Sequence, residues 1–343
     1  MLEASLRQNV ERATGRRVDG APITALVQNA SNRSYYRVGV APDSWVVMVM
    51  PPDAALKSEE VTQGGTPREL PFLDVHRYLE KLGIRVPKVH AWTPAEGRMV
   101  LEDLSDQTFE KALETQPREV LYRRAVELLA TLRARAEAAP DPKCIAFSRK
   151  FDHALYDWEL HHFREWGLEA WSGKKPTDAE RSELDRHFNA IAARLVAAPV
   201  GFTHRDYQSR NLMLKGGELV VIDFQDALQG PRQYDLVALL RDSYVELERP
   251  LVEHLVGEYI AAFERETKER IEPRAFLQYF DLLTVQRKLK DAGRFEFINR
   301  VKGNPGFLPS IPASLRYVRD AFARQPDLEP LRRLCAKYVP ELS

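Results

Sequence analysis

The 343-residue chain predicts an α+β fold built from two unequal parts: a small antiparallel sheet with one main helix, then a larger, mostly helical part carrying a single β-hairpin. Three observations predict it. Short β-branched or aromatic runs, separated by Asn, Ser, Pro and Asp, crowd the first 50 residues. Apolar residues then recur at helical spacing through most of the remainder. Residues 211–224 interrupt that spacing with two apolar runs joined across a Gly-Gly pair.

Residues 23–27, 35–40 and 45–50 read as the first three strands. The segment 61–67 (VTQGGTP) is rich in breakers. After it Leu70, Leu73, Arg77 and Tyr78 through Leu82 keep roughly helical spacing until Gly83, so one helix follows the third strand. Residues 98–101 (RMVL) return to strand character and run into Glu102, Asp103 and Leu104. Leu121, Ala125, Leu128 and Leu132 then fall at i, i+4, i+7 and i+11 on one face of a buried helix. An aromatic-rich helix over 151–171 and an amphipathic one over 178–198, ended by Pro199, come next. In the hairpin, NLMLKGGELVVIDF, Gly216 and Gly217 supply the positive φ that a tight turn demands. The rest is helical apart from a Gly/Pro loop at 302–312. The length fits one bilobal unit, divided into 1–104 and 105–343.

Fifty basic residues stand against 50 acidic ones, with 44% apolar and 29% charged residues. This is an ordinary globular composition without the basic excess that nonspecific nucleic-acid or acidic-membrane binding needs. The longest apolar run, 45–50, is far short of the roughly 20 residues of a membrane helix, and the charged N-terminus lacks a signal peptide's apolar region. The expected location is the cytoplasm. Cys144 and Cys335 form no ligand cluster and read as ordinary thiols. In Trp158-Glu159-Leu160-His161-His162, the adjacent histidines diverge by about 100° on a helix and do not readily chelate one ion, so the segment reads as packing, with a place in the acceptor pocket also open.

Chemistry concentrates in THRDYQSRNLMLKGGELVVIDFQDA. Asp206 and Asn211 lie in the loop before the hairpin and Asp223 at its far end, so the turn folds the three toward one another. A carboxylate and an amide oxygen are hard ligands suited to Mg²⁺ beside a phosphate donor, and the second carboxylate is placed to act as general base.

These residues resemble the protein-kinase-like phosphotransferases, the group that includes aminoglycoside phosphotransferases and choline kinases. His204-Arg205-Asp206 with Asn211 matches H-R-D-x-x-x-x-N, and Asp223-Phe224 begins the D-F-G motif. The resemblance implies a bilobal kinase-like fold, ATP and Mg²⁺, Asp206 as base, and Asn211 and Asp223 on the metal. His204 and Asp235 would be structural supports of the loop. Residues 28–38 (QNASNRSYYRV) take the place of the phosphate-covering loop, implying nucleotide contacts for Ser31, Asn32, Arg33 and Arg37. Glu102, Asp103 and Leu104 resemble the connector whose backbone reads adenine.

The third strand lacks the Lys that such kinases place there, so either Arg33, Arg37 or Lys57 would supply the charge or the phosphates would be held more by Mg²⁺ and backbone, and Glu69 loses its usual partner. HRDYQSRNLM, VVIDFQDALQGPRQYDLVALLRDSY and VQRKLKDAGRF, with Pro51-Pro52, look like the bacterial anomeric sugar kinases of cell-wall recycling, which phosphorylate N-acetylmuramate and N-acetylglucosamine at C1. That implies a small-molecule sugar acceptor. Arg205, Gln225 and Asp226 are candidates to face it. Arg287 and Lys290, three apart on one helix face, would receive a lactyl carboxylate or else form a solvated basic face. Two other readings stay open: a kinase for an aminoglycoside, choline-like or other alcohol, and a nucleotide-binding pseudokinase. Protein partners are not specified by the sequence.

Overall fold

The computed structural model describes residues 2–26, 33–50 and 69–343. Ser31, Asn32, Pro51, Pro52, Lys57 and the 61–67 loop lie outside the described residues.

Helix α1 (Leu2–Thr14) was not expected: its stripe of Leu6 and Val10 is thin and set among charges. The strands β1 (Ile23–Ala25), β2 (Ser34–Val40) and β3 (Asp43–Val49) fall where the sequence places them. Helix α2 (Pro71–Lys81) follows, then β4 (Val89–Thr93) and β5 (Arg98–Glu102). All five strands form one antiparallel sheet in the order β1-β2-β3-β5-β4. Strand β4 escaped the sequence reading because an edge strand with a His and an Ala shows little periodicity.

The unbroken apolar run in β3 is explained by burial on both faces. Val47 packs with Leu6 and Val10 of α1, whereas Val46, Met48 and Met50 join the main core on the α2 side. Helix α2 begins with Pro at its first position and buries Phe72, Val75, His76 and Leu79 along one face. Gly83 ends it in the left-handed region at φ +69, donating its N–H to the Glu80 carbonyl at 2.9 Å. The Phe72 ring lies 4.9 Å from Phe224 and that of Tyr78 5.5 Å from Phe202. One continuous apolar core therefore runs from the sheet to Leu342, so the sheet and the helical part are not independently packed.

The helical part comprises α3 (Phe109–Ala112), α4 (Arg118–Ala138), α5 (His153–His162), α6 (Asp178–Val196), α7 (Gln233–Leu240), α8 (Arg249–Thr267), α9 (Pro273–Lys302), α10 (Ile311–Phe322) and α11 (Glu329–Ala336). Helix α5 continues into a π-helix, Phe163–Ala170, where the sequence suggested a single α-helix. Four short strands support the centre. β7 (Leu212–Lys215) and β8 (Glu218–Val221) form the expected hairpin, while β6 (Val200–Thr203) pairs with β9 (Leu228–Pro231). The last pair was unforeseen because its partners are far apart in sequence and only four residues long.

Helix α9 passes close to the π-helix. A Cβ on Gly293 would sit 2.8 Å from the Phe163 Cα, so glycine is required for that approach. Among the described residues no helix is long and apolar enough to cross a membrane. Both cysteines are buried and free.

Candidate active site

The hairpin turn at Gly216 and Gly217, with φ +59 and +83, sets the register Leu212 opposite Val221. One step further the Ile222 N–H donates to the Asn211 carbonyl at 3.1 Å, which draws Asp223 back to the loop carrying Asp206. The Asn211 Nδ2 then donates to the Asp206 carbonyl at 2.9 Å and reaches the Asp223 Oδ2 at 3.4 Å. The expected triplet is thus one site. With its amide nitrogen committed, Asn211 has its Oδ1 left as a ligand atom.

Asp223 is itself in the left-handed region at φ +64, as is Arg205 at +81; such backbone strain clusters at functional sites. Asp223 keeps access to water at its surface although protein atoms crowd around it. Desolvation raises its pKa and the Asp206 charge adds to that, outweighing the Gln225 amide that donates to its Oδ1 at 2.8 Å. Two mutually repelling carboxylates beside an amide oxygen form a donor set that fits Mg²⁺.

The loop is anchored from below. Asp235, buried on α7, accepts the backbone N–H groups of His204 at 2.7 Å and Arg205 at 2.8 Å. Burial pushes its pKa up against the pull of His204 and these two bonds. The buried His204 ring bridges to the hairpin: its Nε2 donates to the Ile222 carbonyl at 2.9 Å, and its Nδ1 accepts the Asp206 N–H at 3.2 Å. Burial lowers its pKa, consistent with the neutral tautomer these two bonds require. Asp242, not singled out in the sequence, repeats the device by accepting the Ser209 N–H at 2.8 Å and that of Tyr244 at 3.0 Å. The signal was present in RDSY, four residues beyond the YDL segment, but a lone acidic residue at a helix end has many uses.

Several expectations about the acceptor side are corrected. Arg205 does not open onto the cleft; it is buried, with Nη2 3.5 Å from the Oε1 of the fully buried Glu159. Glu159 in turn accepts from Gln286 Nε2 at 2.7 Å. Gln225 is buried and spent on Asp223, while Asp226 is half-buried. Arg287 and Lys290 form no solvated face, since both are buried. Arg287 donates from Nη1 to the Arg205 carbonyl at 2.8 Å and from Nη2 to Asp206 Oδ1 at 3.3 Å, so its guanidinium is not open to an acceptor carboxylate. Lys290 lies 3.5 Å from Asp291, which also receives Lys288 at 2.6 Å.

On the nucleotide side Arg37 lies midway along β2 and reaches toward the connector. Its fork engages Asp103 at 2.7 and 3.0 Å and Asp106 at 2.9 and 3.1 Å, so it does not serve the phosphate end. Arg33, just before β2, donates to the Tyr35 hydroxyl, and its charge offsets the rise in the Asp223 pKa. It is the described cation of the three candidates that acts near Asp223. The Glu102 carboxylate is held by Arg85 at 2.5 Å and the Lys88 N–H at 3.1 Å, and its own N–H donates to the Lys88 carbonyl. Glu102 is therefore committed to the sheet. Lys215 donates to the Asp103 carbonyl at 2.9 Å. Leu104, Met213, Val220 and Ile222 make a separate apolar cluster between connector and hairpin, a bed of the kind a planar base lies on. Glu69 precedes α2 and pairs with Arg77. His161 faces Asp185 and His162 stacks on Trp158, which agrees with packing.

Residues 22–274 match the phosphotransferase enzyme family. The chain belongs to that family. The N-acetylmuramate/N-acetylglucosamine kinase of Neisseria meningitidis serogroup B is 32% identical over 328 residues, covering 92% of this chain and 90% of the relative. That of Pseudomonas putida is 30% identical over 323 residues, covering 93% and 89%. Among solved structures, choline kinase LicA from Streptococcus pneumoniae superimposes with a TM-score of 0.62 at 12% identity, covering 95% of this chain and 99% of that one. ADP-bound aminoglycoside phosphotransferase APH(2'')-Ib gives 0.56 at 14%, covering 93% and 99%. At such identities these two establish the shared kinase-like fold. As a member of the phosphotransferase family, the protein transfers a phosphoryl group to a hydroxyl acceptor.

Proposed function

We propose that this phosphotransferase uses ATP and Mg²⁺ to phosphorylate the anomeric hydroxyl of N-acetylmuramate or N-acetylglucosamine, in the cytoplasm and in cell-wall recycling. The observation that carries the chemistry is the Asn211 amide joining Asp206 at 2.9 Å to Asp223 at 3.4 Å. The sugar is supported by the relatives, which bear these acceptors in their names over nine-tenths of the chain. The nucleotide is supported by the ADP-bound neighbour and by the apolar bed under Leu104.

In this reading residues 1–104 contribute the nucleotide roof and 105–343 the catalytic loop and acceptor pocket. The adenine edge meets the backbone of Asp103 and Leu104, and Arg33 faces the phosphates. Asp223 and Asn211 would hold Mg²⁺, which when bound neutralises charge on the phosphoryl group in flight. Asp206 accepts the proton of the anomeric hydroxyl as its oxygen attacks the γ-phosphorus. The bond from that phosphorus to the bridging oxygen breaks, ADP leaves, and a sugar 1-phosphate remains. The protein's contribution is placement and electrostatics, which is what this reaction requires.

The test is ADP release across a panel of sugars, aminoglycosides and choline, with phosphorus NMR locating the new phosphate. Turnover with an N-acetylated amino sugar and a phosphate on C1 is expected, as is loss of turnover in Asp206→Ala with ATP binding retained. No ADP above background with any sugar would overturn the acceptor assignment.

A further inference from the structure

We propose that Arg287 is a positioning residue for phosphoryl transfer, its guanidinium locking the rotation of the Asp206 carboxylate so that one oxygen is committed and the other is presented to the acceptor. The inference rests on Asp206 being the base. It adds to the reaction a residue that lies outside the kinase motifs, on a helix 81 positions downstream.

The geometry is specific. One guanidinium grips two consecutive residues of the catalytic loop, the carbonyl of Arg205 through Nη1 at 2.8 Å and the Oδ1 of Asp206 through Nη2 at 3.3 Å. It has little freedom to swing away, because Arg287 is 2% exposed and its guanidinium lies over the Tyr234 ring at 4.7 Å. Asp206 needs such a restraint. Its side chain is 35% exposed, and the nearby Asp223 carries a like charge that pushes against it. A carboxylate turning freely would present a proton-accepting lone pair only part of the time, whereas a held one is pre-oriented for the in-line reaction.

The neighbouring charges on α9 let the guanidinium remain directed at the loop. Lys288 occupies Asp291 at 2.6 Å and Lys290 adds a second cation at 3.5 Å, so close contacts to Asp291 come from the lysines, and Arg287 acts on it through space while its donors go to the loop. A planar fork is required, since an ammonium is a point charge and does not hold carbonyl and carboxylate in one fixed plane.

The experiment compares Arg287→Lys and Arg287→Gln, each also combined with Asp206→Asn, in steady-state assays of ADP release, with Mg-ATP affinity measured by calorimetry. Arg287→Lys is expected to lower kcat about tenfold, the worth of one charge-assisted bond. Arg287→Gln is expected to lower it about a hundredfold, the cost of a misplaced reacting group. The sugar KM and nucleotide affinity should stay at wild-type values. In the Asp206→Asn background, Arg287→Gln should cause no further loss, because the residue acts through that carboxylate. A raised sugar KM with unchanged kcat, or a full additional loss in the Asp206→Asn background, would overturn the proposal. Should the Gln variant not fold, the Lys variant decides alone: wild-type kcat in Arg287→Lys refutes the fork. Absence of turnover in the wild type, or full turnover in Asp206→Asn, instead overturns the reading on which the proposal stands.

Discussion

Replacing Asp235 by Ala removes the acceptor of two buried backbone N–H groups, those of His204 and Arg205, while leaving the backbone of α7 unchanged. Each orphaned buried donor costs about 1–3 kcal/mol, which sums to about 2–6 kcal/mol. The upper end is not reached. Burial already raises the Asp235 pKa, so the carboxylate sits in an unfavourable medium and its removal relieves part of that cost. The net expectation is about 2–4 kcal/mol. Asp235→Asn keeps one oxygen, orphans one donor and turns an NH₂ toward it, for about 1–3 kcal/mol. Because domains hold about 5–15 kcal/mol, both variants stay folded at 25 °C and are measurable by urea denaturation. Asp206 follows Arg205 directly, so the loosened loop also misplaces the proposed base, and kcat should fall about a hundredfold with Mg-ATP affinity retained. A stability loss within the roughly 0.5 kcal/mol of an ordinary surface substitution, together with wild-type kcat, would refute the anchoring argument.

Two further outcomes are expected. Phe224→Ala removes a fully buried ring that packs against Phe72 of α2 and should cost about 3–5 kcal/mol; urea denaturation of the variant reads it, and a loss under 1 kcal/mol, well below that range, would mean the D-F segment is not held by α2. Asp291 is desolvated, which pushes its pKa up, but Lys288, Arg287 and Lys290 together hold it below the ordinary carboxylate range. Its folded pKa therefore lies under its unfolded one. The stability it contributes is full above the unfolded value of about 3.9 and drains as pH falls below it. The melting temperature of Asp291→Asn should thus lie below that of the wild type at pH 7, with the gap closing as the pH is lowered through about 4; a gap independent of pH would contradict the assignment.

The parts of the site that were legible in the sequence are those made by short-range geometry. Asp206, Asn211 and Asp223 span 18 positions, and the turn at Gly216-Gly217 brings Asp223 back toward the other two. Strands β1 to β3, α2 and the hairpin carried strong periodicity or breaker signals and fell where expected. Helix α1, edge strand β4 and the β6–β9 pair did not, because each takes its order from a partner surface rather than from its own pattern.

Charged side chains mark the boundary most clearly. Arg37, Arg205, Arg287 and Lys290 looked in sequence like cations awaiting a ligand. The fold gives Arg37 to Asp103 across 66 positions, Arg205 to Glu159, Arg287 to Asp206 across 81, and Lys290 to its neighbour Asp291. By itself the sequence determined that Asp206, Asn211 and Asp223 come together, because they flank one local hairpin. Only the tertiary structure decided which charges serve ligands and which serve the protein, since a charge drawn from water is satisfied by whatever the fold brings within reach, and chain separation carries no record of that.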